Sequence, residues 1–401
     1  MNASATSQER SGEKRDDLFV LHSHHYHAAL LRVLYEASGI DAVRLLEEAV
    51  GVCDEVFAEP VEPSNDNALS LVVEGFRASG LGTLVTDALA TGGTGRAELR
   101  DSHSATAWRL RYPPADRPVC GIASAALGRS LSLLLGEPRR SRELECAAMG
   151  AERCLFEVVP GELRAGEAAA ATRRNVAHGT RGSNPPIPNN ASGSARSALT
   201  DIDSPAEVFA RAHELPGSPL VALPVDFYAA ITHLFTTEIP RVRGAKFANL
   251  PGILLTEAAH RNGFHLFGEA LEAQDLDGVD EATRAERLLD VLGRLRWGTW
   301  RIQSFLPGER LIVRASDSYE GRGHRRLFGR TPAPRCTVAG GALAALMNLL
   351  YRSPSEMPAQ ALTPSFYHTL FRNPHSFRAA ETRCVAMGDA VCEIVVNPLT
   401  V

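Results

Sequence analysis

The sequence predicts a mixed α/β (α+β) protein built from two tandem copies of one module. Three observations predict it. The segment Glu143-Leu-Glu-Cys146-Ala-Ala-Met-Gly-Ala-Glu-Arg-Cys154 returns as Glu381-Thr-Arg-Cys384-Val-Ala-Met-Gly-Asp-Ala-Val-Cys392. Both read E-x-x-C-x-A-M-G-x-x-x-C, and repetition on this scale marks a duplicated unit. Upstream, Asp101-Ser102 lies 19 positions before Cys120, and Asp317-Ser318 lies 19 before Cys336. Each of these cysteines follows a proline by two positions and starts an apolar, small-residue run. Helical periods and short strand-like runs then recur in the same order in both halves.

Residues 1–17 are polar and charged, without the apolar core of a secretory signal, and read as a disordered leader. Residues 18–160 form the first module. Its opening stretch, Tyr26 to Phe57, has helical spacing interrupted at Gly39-Ile40-Asp41, which predicts two helices. Ala68 to Phe76 reads as a short helix. Leu81 to Ala90 and Arg96 to Asp101 read as strands across Gly92-Gly93-Thr94-Gly95. Pro118 opens a helix from Val119 to Leu135, and Gly136 ends it. The knuckle follows as a hairpin turned at Gly150, with Leu155, Phe156 and Val158 on the returning arm.

Residues 161–204 contain GTRGSNPPIPNNASGSARS, a run without a hydrophobic period, and read as a flexible linker. Residues 205–401 form the second module. Helices are expected over Asp226–Phe235, over Leu250–Ala270 with a break at Asn262-Gly263, and over Ala282–Leu295. Strands are expected over Gly298–Phe305 and Arg310–Ser316, joined by Leu306-Pro307-Gly308. A helix from Thr337 to Tyr351 leads to the second knuckle, turned at Gly388. Cys120 to Glu143 spans 23 positions, but Cys336 to Glu381 spans 45. The excess contains Pro364-Ser365-Phe366-Tyr367-His368, read as a helical flap.

Composition narrows the function. A net charge of −5 argues against nucleic acid as a direct partner. No apolar run is long enough to span a membrane, and the chain reads as cytoplasmic. In a large cytosolic chain, the seven patterned cysteines point to metal ligation before disulfides. Two sets of three leave Cys53, read as an inert core thiol.

The quartets Cys120, Glu143, Cys146, Cys154 and Cys336, Glu381, Cys384, Cys392 each offer three soft thiolates and one carboxylate, a donor set for tetrahedral zinc. With four protein ligands the two Zn2+ sites are structural. Buried core cysteines are the alternative reading, and the glutamates are open between ligation and support.

The order Asp-Ser, Pro-x-Cys, small-residue helix and E-x-x-C-x7-C resembles the 4-vinyl reductase domain. It is especially similar to the aromatic-effector sensor domains of phenol- and xylene-responsive activators. The resemblance covers roughly residues 95–158 and 297–398. It implies an antiparallel sheet with flanking helices in each module, related to a vesicle-tethering subunit fold. It also implies a structural zinc on each quartet, and a buried pocket between helices and sheet for a small aromatic. The chain departs from the phenol sensors at Leu99 and Ala315, which stand where those sensors carry tryptophan. Neither their ATPase module nor a helix-turn-helix is legible, so a binding or sensory unit without its own output domain is expected.

Four further groups of residues are candidates. His22, His24, His25 and His27 precede the first helix, with His25 and Tyr26 expected to face inward. Asp101 and Asp317 with their serines suit a turn, a cap or a pocket rim, followed by His103 and Tyr319 with polar tips. Phe264, Phe267, Trp297 and Trp300 suit a core or an apolar pocket. Arg322, His324, Arg325 and Arg326 read as a basic loop.

No catalytic residues are assigned. The expected work is binding of a small apolar or aromatic ligand, with the signal passing to a separate partner or a homodimer interface. Two alternatives stay open: an enzyme or accessory in reduction of a vinyl or tetrapyrrole-type substrate, and a scaffold or tethering protein.

Overall fold

Short apolar strands and long amphipathic helices alternate along the chain, and the order in which they pair sets the architecture. The computed structural model describes residues 19–53, 68–163, 219–273, 278–352, 363–372 and 374–399. The leader and all but the first three residues of the expected linker lie outside the described residues.

The first half runs β1 (Phe19–Ser23), α1 (His24–Glu36), α2 (Ala42–Gly51), α3 (Ala68–Ser79), β2 (Thr83–Val85), β3 (Gly95–Arg100), α4 (His103–Arg111), α5 (Gly121–Leu135), β4 (Arg139–Glu145) and β5 (Cys154–Pro160). The second runs β6 (Leu220–Pro224), α6 (Val225–Arg243), α7 (Leu250–Ala273), α8 (Glu281–Arg294), β7 (Arg301–Leu306), β8 (Arg310–Ala315), α9 (Tyr319–Phe328), α10 (Thr337–Arg352), α11 (Pro364–Arg372), β9 (Phe377–Arg383) and β10 (Cys392–Pro398). The strands form two antiparallel four-stranded sheets of matching order, β2-β3-β5-β4 and β7-β8-β10-β9. Alternate residues of the central strands point inward. Phe156, Val158, Ile394 and Val396 are buried against the helices, and their neighbours are half-exposed.

The halves meet through a third, two-stranded sheet. β1 runs antiparallel to β6, with Leu21 opposite Ala222 at its centre. These are the third residues of their strands, so the pair marks a local pseudo-twofold axis. The packing obeys the same axis: α1 lies on α4 of its own half and α7 of the other, while α6 lies on α9 of its own half and α2 of the other. The two halves thus embrace as two subunits of an isologous dimer would.

Some expectations change. The strand expected over Leu81–Ala90 is confined to Thr83–Val85, because a loop occupies the rest. The basic stretch Arg322–Arg326 is helix, part of α9, and not a loop. α7 does not break at Asn262-Gly263. Its glycine serves close helix packing: a Cβ there would come within 2.6 Å of Ala342 Cα on α10. Gly321 answers for part of the α9 misreading, since a Cβ there would meet Cys392 Sγ at 2.9 Å. The helix expected over Asp226–Phe235 extends to Arg243, through Pro240.

Candidate metal centres and the aromatic seam

The knuckle begins on the strand beside it. In both sheets the pairing slips by one residue beside the glutamate, between Glu143 and Glu145 and between Arg383 and Glu381. A bulge of this kind re-aims a side chain. Here it accompanies a glutamate that reaches the start of the small-residue helix: Cys120 N–H donates to Glu143 Oε2 at 2.8 Å, and Cys336 N–H to Glu381 Oε2 at 2.7 Å. A 3-10 turn follows, Ala147–Met149 or Val385–Met387, closed by Gly150 (φ +100°) or Gly388 (φ +105°). That positive φ is a glycine conformation. The turn carries the second and third cysteines to either side of the first.

In each quartet one donor atom from every residue lies within 4.8 Å of the others, so both groups could hold a metal ion. Cys120 Sγ is 3.9 Å from Cys146 Sγ and 3.4 Å from Cys154 Sγ, and Cys336 Sγ is 3.4 Å from Cys392 Sγ. A tetrahedron of thiolates around zinc has edges of about 3.8 Å, whereas a disulfide needs about 2.05 Å. All the cysteines are free and buried. The sharpest test of fit is the second carboxylate oxygen. Glu143 Oε1 and Glu381 Oε1 are both buried without a hydrogen-bond partner. An orphaned buried acceptor is costly, and a cation between the thiolates would satisfy it.

The electrostatics agree. Burial, then the neighbouring Cys146, pushes the Glu143 carboxyl up to about 9; burial and Cys384 do the same to Glu381. Burial also drives Cys120 and Cys336 well above the usual thiol range. Each cluster keeps one favoured thiolate: Cys154, lowered to about 4 by hydrogen bonds from Cys120 and Cys146, and Cys384, lowered by Cys336 and Cys392. These positions do not correspond between copies. The common physical content is that one negative charge is tolerated and four are not, unless a divalent cation neutralises them. Ser102 Oγ and Ser318 Oγ each lie 3.1 Å from the helix-start sulfur, placed to donate to a thiolate. They are the serines of the repeated Asp-Ser pair, whose link to the clusters the sequence signalled only by constant spacing.

The remaining candidates do not gather into one place. Leu99 is buried on β3, opposite Leu84 and Cys154. Asp101 is exposed at a left-handed corner (φ +52°), and Asp317 accepts from Thr299 N at 2.8 Å and Thr299 Oγ1 at 2.7 Å. Phe264 packs against Phe366 and Tyr367 of α11. Trp300 is buried with its Nε1 unpartnered.

Tyr26, His103 and Tyr319 do converge, at the seam. His22 of β1 lies among Tyr26, Tyr228, Trp297 and Tyr319, with ring centroids 4.4, 4.3, 4.8 and 5.6 Å away. Both His22 nitrogens and the Tyr319 hydroxyl are buried without a partner. Beside this box, His27 Nε2 contacts Tyr228 Oη at 2.8 Å and His27 Nδ1 contacts His103 Nε2 at 3.0 Å. Burial holds His22, His27 and His103 well below the usual histidine range, so they are neutral. Sequence reasoning placed His22 and Trp297 in separate groups and passed over Tyr228. Their common signal, histidine and aromatic residues at corresponding helix starts, makes sense only once β1 and β6 pair.

His25 faces away from this box. It forms a third group with His265 and Glu269, again with donor atoms within 4.8 Å.

Comparison with known proteins places this geometry. The 4-vinyl reductase domain model matches residues 107–160, which contain the first quartet, so this part of the chain is a 4-vinyl reductase domain. Among solved structures, the chain is similar to the phenol-responsive sensory domain of the transcription activator PoxR with phenol, at 19% identity and a TM-score of 0.29, over 42% of this chain and 73% of that one. No curated protein matches the sequence. No helix among the described residues is long and apolar enough to cross a membrane.

Proposed function

We propose that the chain is a zinc-clamped, two-module sensory protein that binds a small, mainly apolar aromatic molecule at the seam. The observation that carries the binding reading is the box around His22: four aromatic rings surround buried polar atoms that lack partners. A hydroxylated aromatic supplies a face for stacking and a hydrogen-bonding group for the His22 nitrogens or the Tyr319 hydroxyl. The 4-vinyl reductase domain and the resemblance of the knuckle to aromatic-effector sensors support the same class. The second sheet repeats the strand order of the first, and we read it as a second copy of the domain.

Cys120, Glu143, Cys146 and Cys154 would hold one Zn2+, and Cys336, Glu381, Cys384 and Cys392 the other. When bound, the ion supplies structural cross-linking and charge neutralisation. The residues themselves fix the start of α5 or α10 to the end of the sheet. A reducing cytoplasm keeps such thiols available, and the output belongs to a separate partner.

Titration of the intact chain with a panel of hydroxylated mono- and bicyclic aromatics, followed by tryptophan fluorescence, tests the binding reading. Trp297 emission should change saturably with at least one of them, and His22→Ala should abolish the change. A response that no compound elicits, with no aromatic molecule co-purified, would overturn it.

A further inference from the structure

The second residue of each module's first helix points to a different chemistry. In α6 it is Asp226, which pairs with Arg326 of α9 (Nε to Oδ1 3.1 Å). In α1 it is His25, and α4, the counterpart of α9, offers Arg111 to it (Nη2 to Nε2 3.0 Å). The first side carries more than that pair. His265 and Glu269 stand four residues apart on α7, on one helix face turned to α1. His25 Nε2 is 3.1 Å from Glu269 Oε1, and the His25 and His265 rings lie 4.0 Å apart. His24 stacks on the other face of His25 at 4.0 Å; it is 95% buried by its 5% exposure, and its Nδ1 has no hydrogen-bond partner.

We propose that His25, His265 and Glu269 form a third cation site, for a first-row divalent ion such as Zn2+, clasping α1 of one module to α7 of the other. Two imidazoles and one carboxylate are a donor set for borderline ions. The donor atoms lie within 4.8 Å of one another, and edges of about 3.4 Å around zinc require the rings to close in slightly. His25 is buried, but His265 and Glu269 are only half-buried, so water completes the coordination. This differs from the two thiolate quartets in both donor type and openness. Arg111 is the competitor: its guanidinium lies against His25, within the field of Glu269. A divalent ion takes over that positive charge, and Arg111 withdraws toward solvent. The site joins His25 to residues 240 and 244 positions away in sequence, across the seam between modules, and nothing in the thiolate clamps requires it.

Isothermal titration of Zn2+ into the full-length chain, purified without chelator, tests the proposal alongside His265→Ala, Glu269→Gln and Arg111→Gln. The wild type should take up one further equivalent beyond the zinc it carries. His265→Ala and Glu269→Gln should weaken that uptake by on the order of 100-fold. Arg111→Gln should tighten it by roughly tenfold, since it removes a competing cation; a variant that merely loosened the seam would not bind metal more strongly. The comparison is between these proteins, so it holds whatever zinc the thiolate clamps carry. An unchanged titration in His265→Ala, or unchanged or weaker binding in Arg111→Gln, would overturn the site. Circular dichroism shows whether each variant is folded, and Glu269→Gln, nearly isosteric, keeps the test decisive if His265→Ala is not.

Discussion

The two cysteine clamps and the two helix starts at the seam make opposite use of the same duplication. The clamps agree almost atom for atom: a bulge beside the glutamate, a backbone N–H on one carboxylate oxygen, an orphan on the other, and a serine 3.1 Å from the first sulfur. The helix starts diverge. His22 and Tyr26 meet Leu223 and Phe227 at the corresponding positions, His27 meets Tyr228, and His25 meets Asp226. A clamp is satisfied within one module, so any change must answer to the same local geometry. The helix starts face each other across a pseudo-twofold axis, where identity would pair each residue with its own copy. Divergence there converts a symmetric contact into a box with two unlike walls.

This contrast can be broken experimentally. The largest effect is expected from Cys146→Ser and Cys384→Ser. Each should destabilise its module by at least ~4 kcal/mol, because a ligand lost from a structural metal site removes folding free energy. Thermal or urea unfolding of the two variants should give similar losses. A large loss in one and none in the other would show that the clamps are alike in shape only.

Next in size is an acid dependence in the second module. His260 is buried on α7; burial, then the charges of Arg378 and Arg261, lower it to about 3, and Asn348 Nδ2 donates to its Nε2 at 2.9 Å. Its folded pKa lies below the unfolded value near 6.5. The stability it contributes is therefore complete above about pH 6.5 and is lost as pH falls toward 3. The stability gap between wild type and His260→Gln should shrink by about 2 kcal/mol from about pH 7.5 to about pH 5. A gap that stays constant in urea unfolding would mean that His260 is protonated in the fold.

The smallest effect concerns the helix start that lacks a metal-type cluster. Asp226→Asn should cost at most ~1 kcal/mol, since its ion pair with Arg326 is partly exposed. A larger cost would make the starts of α1 and α6 more alike than their chemistry suggests.

Much of the clamp was legible in the sequence, because its donors are rare residue types held at short, repeated spacings. The pairing of halves was not. β1 is a five-residue apolar run, and its partner β6 lies some 200 positions away. No local period announces that contact. α4 and α9 were hidden for another reason. HSATAWRLR has no apolar stripe, and YEGRGHRRLF carries two glycines that suggest a loop. Those glycines answer to neighbours: Gly321 to Cys392 Sγ, and Gly323 to Val225, whose Cγ1 would lie 2.6 Å from a Cβ. Gly263 misled in the same way, as an apparent break that is a close helix crossing. The aromatic box was legible only in pieces. Tyr26, His103 and Tyr319 stood out for their positions beside other motifs, while His22, Tyr228 and Trp297 join them only through the paired helix starts.

The central claim is that each clamp closes around one metal ion. Native mass spectrometry of the intact chain, purified without chelator, measures this directly. Two zinc ions per chain are expected, falling to one in either Cys146→Ser or Cys384→Ser under conditions too dilute in free zinc to fill a weaker site. A chain that carries no zinc, or that keeps both ions after either substitution, would contradict it.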